Sequence, residues 1–351
     1  MRQAKYIQIA EAFRRRLHNG DYAFSTLPGA QRLASEMGVS YLTARQAVKK
    51  LIDDGVLRRQ PSGRLEAFQN SNTEHRNLNI AVIIPGILSP TWANALQKTA
   101  LNYKCTVRTI SYSHDDDPVV FEALDGNFDL IFINFVRNDE LFINKLLQYK
   151  DKVVTLFHDF TSLGLRCVDG PAPESISELM NYLHELGHRN IDVFNTQPFD
   201  RTIKDRIRAW QNSKTKIGFN GQLHNYPVNS FESAVMQAYI KFNELLENGE
   251  FKSTAVFCTT VEIAGAVSRA CYEKGLKVPD DISICSFGQP EAARMFIPSI
   301  TVIDRPSPEP ELKAIFEQFL KISDEPDKLL FRTQSKSIMI GESTSKPNKK
   351  A

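Results

Sequence analysis

Tyr41, Arg45 and Lys49 recur at i, i+4 and i+8, with Gln46 and Thr43 beside them. On a helix this spacing puts a phenol and two cations in one line. Such groups suit the base edges of nucleic acid. An Arg fork grips the two acceptors of guanine, and Gln bonds adenine in two places. Thr43 can bond a phosphate or touch a thymine methyl. Further on, Gln60-Pro61-Ser62-Gly63-Arg64-Leu65 reads as a tight loop. Gly63 lets backbone approach a minor groove, and Arg64 suits the negative potential there. Double-stranded DNA is therefore the first partner to consider.

The elements that must hold these groups are legible. Ser40 is a helix N-cap, and Ala44, Ala47, Val48 and Leu51 form the inward face of the helix it opens. Gly38-Val39-Ser40 makes the turn before it, and Leu27-Pro28 leads into a shorter helix carrying Gln31, Arg32, Leu33 and Ala34. Gly55-Val56-Leu57 begins a short hairpin. Upstream, Tyr6, Ile9, Ala10, Phe13 and Leu17 share one face of a first helix, which Asn19-Gly20 ends. Arg14, Arg15 and Arg16 near its end are either a solvated cationic terminus or backbone contacts to DNA.

The order Leu-Pro, Gly-Val-Ser, Thr, Arg and Gly-Val-Leu at these intervals resembles the GntR-type winged helix-turn-helix. The resemblance implies a second helix in the major groove, with Gln31 and Arg32 joining Tyr41, Thr43, Arg45, Gln46, Lys49, Gly63 and Arg64 as DNA-binding residues. There are departures. Gly29-Ala30-Gln31 stands where the family usually has Ser-Glu-Arg, and Tyr41 where it has Arg. Pro61-Ser62-Gly63-Arg64-Leu65 replaces the usual Gly-x-Gly-Thr-Phe wing. Two arginine contacts are thus missing, and affinity is expected to lean on Arg45, Lys49 and Arg64.

The charge distribution agrees. Residues 1–76 hold 13 Lys/Arg against 7 Asp/Glu, whereas residues 77–351 hold 30 against 34. A basic head on a mildly acidic body fits a polyanion partner for the head alone. At 351 residues the chain suits two or three domains. The expected division is a winged helix-turn-helix at 1–68, a polar linker at 69–78, a large domain at 79–344 and a disordered tail at 345–351. The five cysteines lack metal-knuckle or redox spacing and are expected as buried thiols. The start, Met-Arg-Gln-Ala-Lys, leads into an amphipathic helix rather than a signal peptide, and no apolar run approaches the ~20 residues that span a bilayer. A cytoplasmic protein with no membrane partner is expected.

In the body, strand-like runs at 80–84, 107–111, 130–135, 153–157, 191–195, 255–258 and 282–287 alternate with helical segments at 174–186, 231–247 and 262–274. Alternation of this kind predicts an α/β fold with parallel sheets covered on both faces. Glu185-Leu186-Gly187-His188-Arg189-Asn190-Ile191 resembles the Gly-His-Arg motif of lac-repressor-type effector domains. Thr254–Cys258, Val278–Ile284, Pro298–Val302 and Ile338–Thr344 are similar to other stretches of that family. The resemblance implies a periplasmic-binding-protein-like pair of lobes, with crossovers near Asp169, Asp304 and Asp324 and a small-molecule effector between them.

The same resemblance implies the effector-binding residues Ser89, Trp92, His158, Asp159, Arg206, Thr260 and Gln289. Trp92 either stacks on a sugar ring or is an aromatic of the core or lobe interface. Arg206 either grips ligand oxygens with its planar fork or is a surface helix charge. Thr260-Val261 and Ser286-Phe287-Gly288 replace the family's Asn-Asp and Gly-Phe-Asp, so the pocket must bond sugar hydroxyls differently, take a less hydroxylated ligand, or be degenerate. Asp115–Pro118 reads as a helix start rather than a metal site, and His184 with His188 as structural rather than zinc-binding. No phosphate loop, nucleophile elbow, cofactor motif or metal set is found. The expectation is a homodimeric transcription regulator, a repressor controlled by a carbohydrate-like effector. The alternative is a regulator with a degenerate cleft answering to a protein partner. An enzyme would need a catalytic constellation that the sequence does not present.

Overall fold

The computed structural model describes residues 4–67, 78–86, 89–114, 116–136, 139–170, 174–304, 307–322, 327–333 and 337–348. The chain begins with α1 (Lys5–His18), α2 (Ala30–Met37), α3 (Tyr41–Asp53) and an antiparallel pair, β1 (Leu57–Arg59) and β2 (Leu65–Ala67). Phe13, Leu33, Leu51 and Leu57 are fully buried at the centre of this head. Gly38 takes the left-handed conformation that stops α2, and the Ser40 hydroxyl caps α3 by accepting from the Thr43 N–H at 3.2 Å.

The first lobe is built from β3 (Asn79–Pro85), α4 (Pro90–Asn102), β4 (Thr106–Tyr112), α5 (Pro118–Asp125), β5 (Leu130–Ile133), α6 (Glu140–Gln148), β6 (Val153–Leu156) and β7 (Arg166–Asp169). The chain then enters a second lobe with α7 (Ser175–Leu186), β8 (Ile191–Asn195), α8 (Arg201–Ile217), β9 (Leu223–Asn225), α9 (Ala234–Glu247), β10 (Ala255–Cys258), α10 (Val261–Glu273), β11 (Ser283–Phe287), α11 (Pro290–Ala293) and β12 (Thr301–Ile303). It returns to lobe 1 for α12 (Glu309–Phe319) and β13 (Leu330–Arg332), and ends in lobe 2 with β14 (Ile338–Met339).

The sheet of lobe 1 has the order β13-β7-β6-β5-β3-β4 and is parallel throughout. The sheet of lobe 2 has the order β14-β12-β11-β10-β8-β9, parallel except for its β14 edge. Strand β3 shows why. Ile80, Val82 and Ile84 pack into the core on one face, Ala81 and Ile83 into the core on the other. A near-continuous apolar strand needs cover on both faces, which a parallel sheet with crossover helices supplies.

Three expectations need correction. The third crossover runs between Arg332 and Ile338, not near Asp324: α12 packs Leu312, Ile315 and Phe316 into lobe 1, and β13 must pair with β7 before the chain can leave. Leu78 is not linker. It is fully buried in lobe 1, and its carbonyl accepts from the Thr106 N–H. Most of the expected linker, 69–77, lies outside the described residues. Nor is the tail free from residue 345. The Ser345 carbonyl accepts from His188 Nε2 at 2.9 Å, and Asn348 donates to the Asp280 carbonyl at 2.8 Å. The cysteines, as expected, are buried thiols. Asp117 caps α5 through the Val119 N–H; Asp115 lies outside the described residues.

Candidate nucleic-acid interface and ligand cleft

Helix α3 turns its small apolar residues inward and its polar ones out. Ala44, Ala47, Val48 and Leu51 are buried, while Tyr41, Arg45, Gln46 and Lys49 are exposed on the opposite side. Thr43 is half-buried, its hydroxyl 2.9 Å from that of Ser40. Gly63, at φ 81°, and Arg64 are exposed at the tip of the β1–β2 loop. Gln31 is exposed on α2. Arg32 is less free than its position suggests: its Nε donates to Glu36 at 2.8 Å, and Nη1 to the Thr26 carbonyl at 3.3 Å. It serves the α2 scaffold before it can serve a phosphate.

Between the lobes lies a cavity of about 250 Å³, at the carboxyl ends of the strands. Lobe 1 supplies Asn134, Phe157, His158 and Asp169, and lobe 2 supplies Gln197, Arg206, Thr260 and Phe287. The N-terminus of α8 faces it through Asp200, Arg201 and Thr202, and brings the positive end of a 17-residue helix to the ligand space.

Arg206 is held from two sides. Its Nη1 donates to the Thr259 carbonyl at 2.7 Å, and its guanidinium lies 4.0 Å from the Phe287 ring centre. A cation over an aromatic face is worth ~0.5–2 kcal/mol, which orients the fork rather than merely tolerating it. Behind it a polar network stiffens the floor: Thr259 donates to Asn195 Oδ1 at 2.6 Å, and Asn195 donates to Asn225 at 2.8 Å. Gln197 donates to the Thr260 hydroxyl at 3.2 Å.

His158 stacks on Phe135 with ring centres 4.3 Å apart. Burial pushes its pKa below the ordinary histidine value, so the neutral ring prevails, with one donor and one acceptor. At the hinge, Arg332 and Asp169 form a 3.0 Å ion pair between the ends of β13 and β7, where the chain leaves lobe 1. The cleft is thus a mixed set of oriented donors and acceptors between aromatic walls, the pattern that binds a small polar molecule.

Two family profiles match the chain. One, described as bacterial regulatory proteins of the gntR family, covers residues 5–65. The other, a periplasmic binding protein-like domain, covers residues 180–327. This chain is a gntR-type helix-turn-helix followed by a periplasmic-binding-protein-like domain.

Among curated relatives, the transcriptional regulator GalR of Streptococcus thermophilus is 27% identical over 46% of this chain and 49% of that protein. The HTH-type transcriptional repressor PurR of Pasteurella multocida is 26% identical over 50% of this chain and 56% of its own length. The probable repressor ExuR of Bacillus subtilis is 24% identical over 60% and 61%. The chain thus spans about half the length of the first two relatives. In fold, it is similar to a LacI family regulator from Bifidobacterium animalis subsp. lactis, with a TM-score of 0.64 and 19% identity over 77% of this chain and 98% of that one. It is similar also to a LacI family regulator from Enterococcus faecium with bound ribose, with a TM-score of 0.63 and 18% identity over 76% and 99%.

Of the effector residues expected from the sequence, the cleft brings together His158, Arg206 and Thr260. The others stand elsewhere. Trp92 is buried in the core of lobe 1, edge-on to Phe157 at 5.1 Å, and so backs the cleft wall instead of stacking on a ligand. Ser89 is the N-cap of α4. Asp159 caps the short turn at Thr161, accepting from its N–H and hydroxyl. Gln289 donates to Glu262 at 3.1 Å, away from the cavity. Gln197, Asp200, Arg201 and Arg332 also line the cleft although no motif marked them, and Phe287 does so from a stretch read only as a departure from the family. Gln197 and Asp200 carried a usable signal: they follow the strand Ile191–Asn195, and ligands sit at strand carboxyl ends.

Proposed function

We propose that this protein is a DNA-binding transcription regulator, a repressor, whose grip on an operator is set by a small polar molecule held between the two lobes. The ligand class is a sugar or sugar derivative. Supporting this, relatives are named as transcriptional repressors, and neighbours in fold carry ribose or glucose. The observation that carries the reading is Arg206, its fork held against Phe287 and aimed into a cleft that Gln197, Thr260 and His158 complete. A volume of about 250 Å³ suits one small ring rather than an oligosaccharide.

The DNA contact set is Tyr41, Thr43, Arg45, Gln46 and Lys49 on α3, with Gln31 and Arg32 on α2 and Gly63 and Arg64 on the loop. The effector set is His158, Arg206 and Thr260, joined by Gln197 and Phe287. The protein works as a homodimer in the cytoplasm, each head entering one of two successive major grooves ~34–36 Å apart. Lobe closure on the effector changes that spacing, and it can do so only through unequal affinity for the open and closed forms.

The test is a thermal-shift panel of sugars, sugar acids and nucleosides on the unmutated chain and on Arg206→Ala. A hit that raises the melting temperature, and is lost in the variant, is the expected result. Silence across the panel would instead favour a regulator governed through another surface.

A further inference from the structure

The turn after α1, residues 19–25, lies against lobe 1. Four of its backbone carbonyls accept hydrogen bonds from that lobe. The Arg108 guanidinium donates to Asn19 O. The Asn127 side-chain amide donates to Tyr22 O and Ser25 O, both at 3.1 Å, and the Asn127 backbone N–H donates to Ala23 O at 2.7 Å. Ala23 is buried within the apolar cluster of lobe 1 that holds Ile110 and Ala123. Phe24 meets Phe128 edge to face, ring centres 5.3 Å apart.

Two glycines show how closely the surfaces meet. A β-carbon on Gly20, itself at φ 68°, would lie 2.7 Å from Asn79 Oδ1. One on Gly126 would lie 2.7 Å from Ala23 O. Each glycine belongs to one side of the seam and is crowded by the other. The DNA-reading groups point elsewhere: Tyr41, Arg45, Gln46, Lys49 and Arg64 are exposed with the seam closed.

Strand β4 links this seam to the cleft. It is an edge strand, paired with β3 alone among the described strands. Arg108 on it grips the head. Four residues on, the Tyr112 hydroxyl donates to Asn134 O at 3.2 Å, and Asn134 lines the cavity. The Tyr112 ring stands 5.9 Å from Phe231 of lobe 2. One strand therefore touches the head, the cleft wall and the opposite lobe.

We propose that the seam of residues 19–25 makes the head a rigid extension of lobe 1, so that rotation of this lobe about the hinge carries α3 with it. The sensor's state reaches the DNA-reading face through Arg108, Asn127 and β4, and not through the intervening chain segment alone. A two-state device needs a stiff lever, and a hydrogen-bonded seam with a buried apolar plug supplies one.

The test needs neither operator nor effector, so its failure leaves the reading of head and cleft intact. All five native cysteines are buried, which lets Ser35→Cys on α2 and Leu101→Cys on α4 take spin labels selectively in the full chain. Pulsed dipolar spectroscopy should give a single narrow distance. Adding Arg108→Ala and Asn127→Ala should abolish that peak in favour of a wide spread, with the circular dichroism unchanged. A wide spread before those changes, or a narrow peak that survives both, overturns the proposal. Should the double variant fail to fold, hydrogen exchange on the unmutated chain decides: a protected Asn127 amide supports the seam, and exchange at the rate of an open loop sinks it.

Discussion

Arg45 and Arg206 carry the same guanidinium on two helices, and their surroundings assign them different tasks. Arg45 is exposed on the outer line of α3, where the proposed function has it meet base edges. Arg206 is pinned between Phe287 and the Thr259 carbonyl, which fixes the direction of its fork. Replacing Arg45 by Ala should weaken specific operator binding by ~1–3 kcal/mol, the worth of one bidentate base contact, and leave the sensor folded. Fluorescence anisotropy with a selected operator measures this, and unchanged affinity would remove α3 from the groove. The buried histidines make a prediction about pH. Burial depresses the pKa of both His158 and His188 in the folded chain. The unfolded chain then binds more protons once the pH falls below the ordinary histidine value of ~6.5, so stability should fall with acidification from there down through the depressed folded values. His158→Gln should flatten this slope in melts recorded from pH 7.5 to 5. A melting temperature insensitive to the substitution across that range would mean the ring titrates as if in water.

At the scale of elements, the most exposed dependence is the start of α3. The Ser40 hydroxyl accepts from the Thr43 N–H and meets its side chain, so one residue both caps the helix and orients a contact group. Ser40→Ala should cost ~0.5–2 kcal/mol in urea unfolding followed by head-specific signals. Elements with strong periodicity were legible in the chain: α1, α3, β8, β10 and, in lobe 2, α7, α9 and α10 fall where their apolar spacing puts them. Three strands were not. Arg166–Asp169, Leu223–Asn225 and Leu330–Arg332 each hold at most two apolar residues, so no apolar run marks them as β10 is marked. They exist because a neighbouring strand presents an open edge. The site divides along similar lines. Arg206 and His158 were readable because motif and strand end marked them. Trp92 was misplaced because an aromatic after the first strand looks the same in sequence whether it faces a ligand or, as here, the ring of Phe157.

At the scale of the whole molecule, lobe 2 carries an apolar face on the outside. Met236 lines a groove there together with Gly265 and Phe296, and Tyr272, Met295 and Ile297 are exposed on the same lobe. An exposed apolar groove marks an interaction site. Under the proposed function, a second copy is the occupant that paired DNA half-sites require. Ile297→Asp combined with Met295→Asp should therefore shift sedimentation from dimer to monomer and reduce operator affinity, with the thermal shift from effector retained. A dimer that persists would place the interface elsewhere. The linear order of residues by itself determined that a basic, helix-turn-helix head precedes an α/β body with two sheets, because both facts reside in local spacing and charge. Tertiary structure alone decided the third crossover after β13, the burial of Leu78, the anchoring of Ser345 to His188 and of Asn348 to Asp280, and the docking of residues 19–25 on lobe 1. These depend on which surfaces meet across tens or hundreds of residues, and Asn127 looks like any loop asparagine until the carbonyls of Tyr22, Ala23 and Ser25 are brought to it.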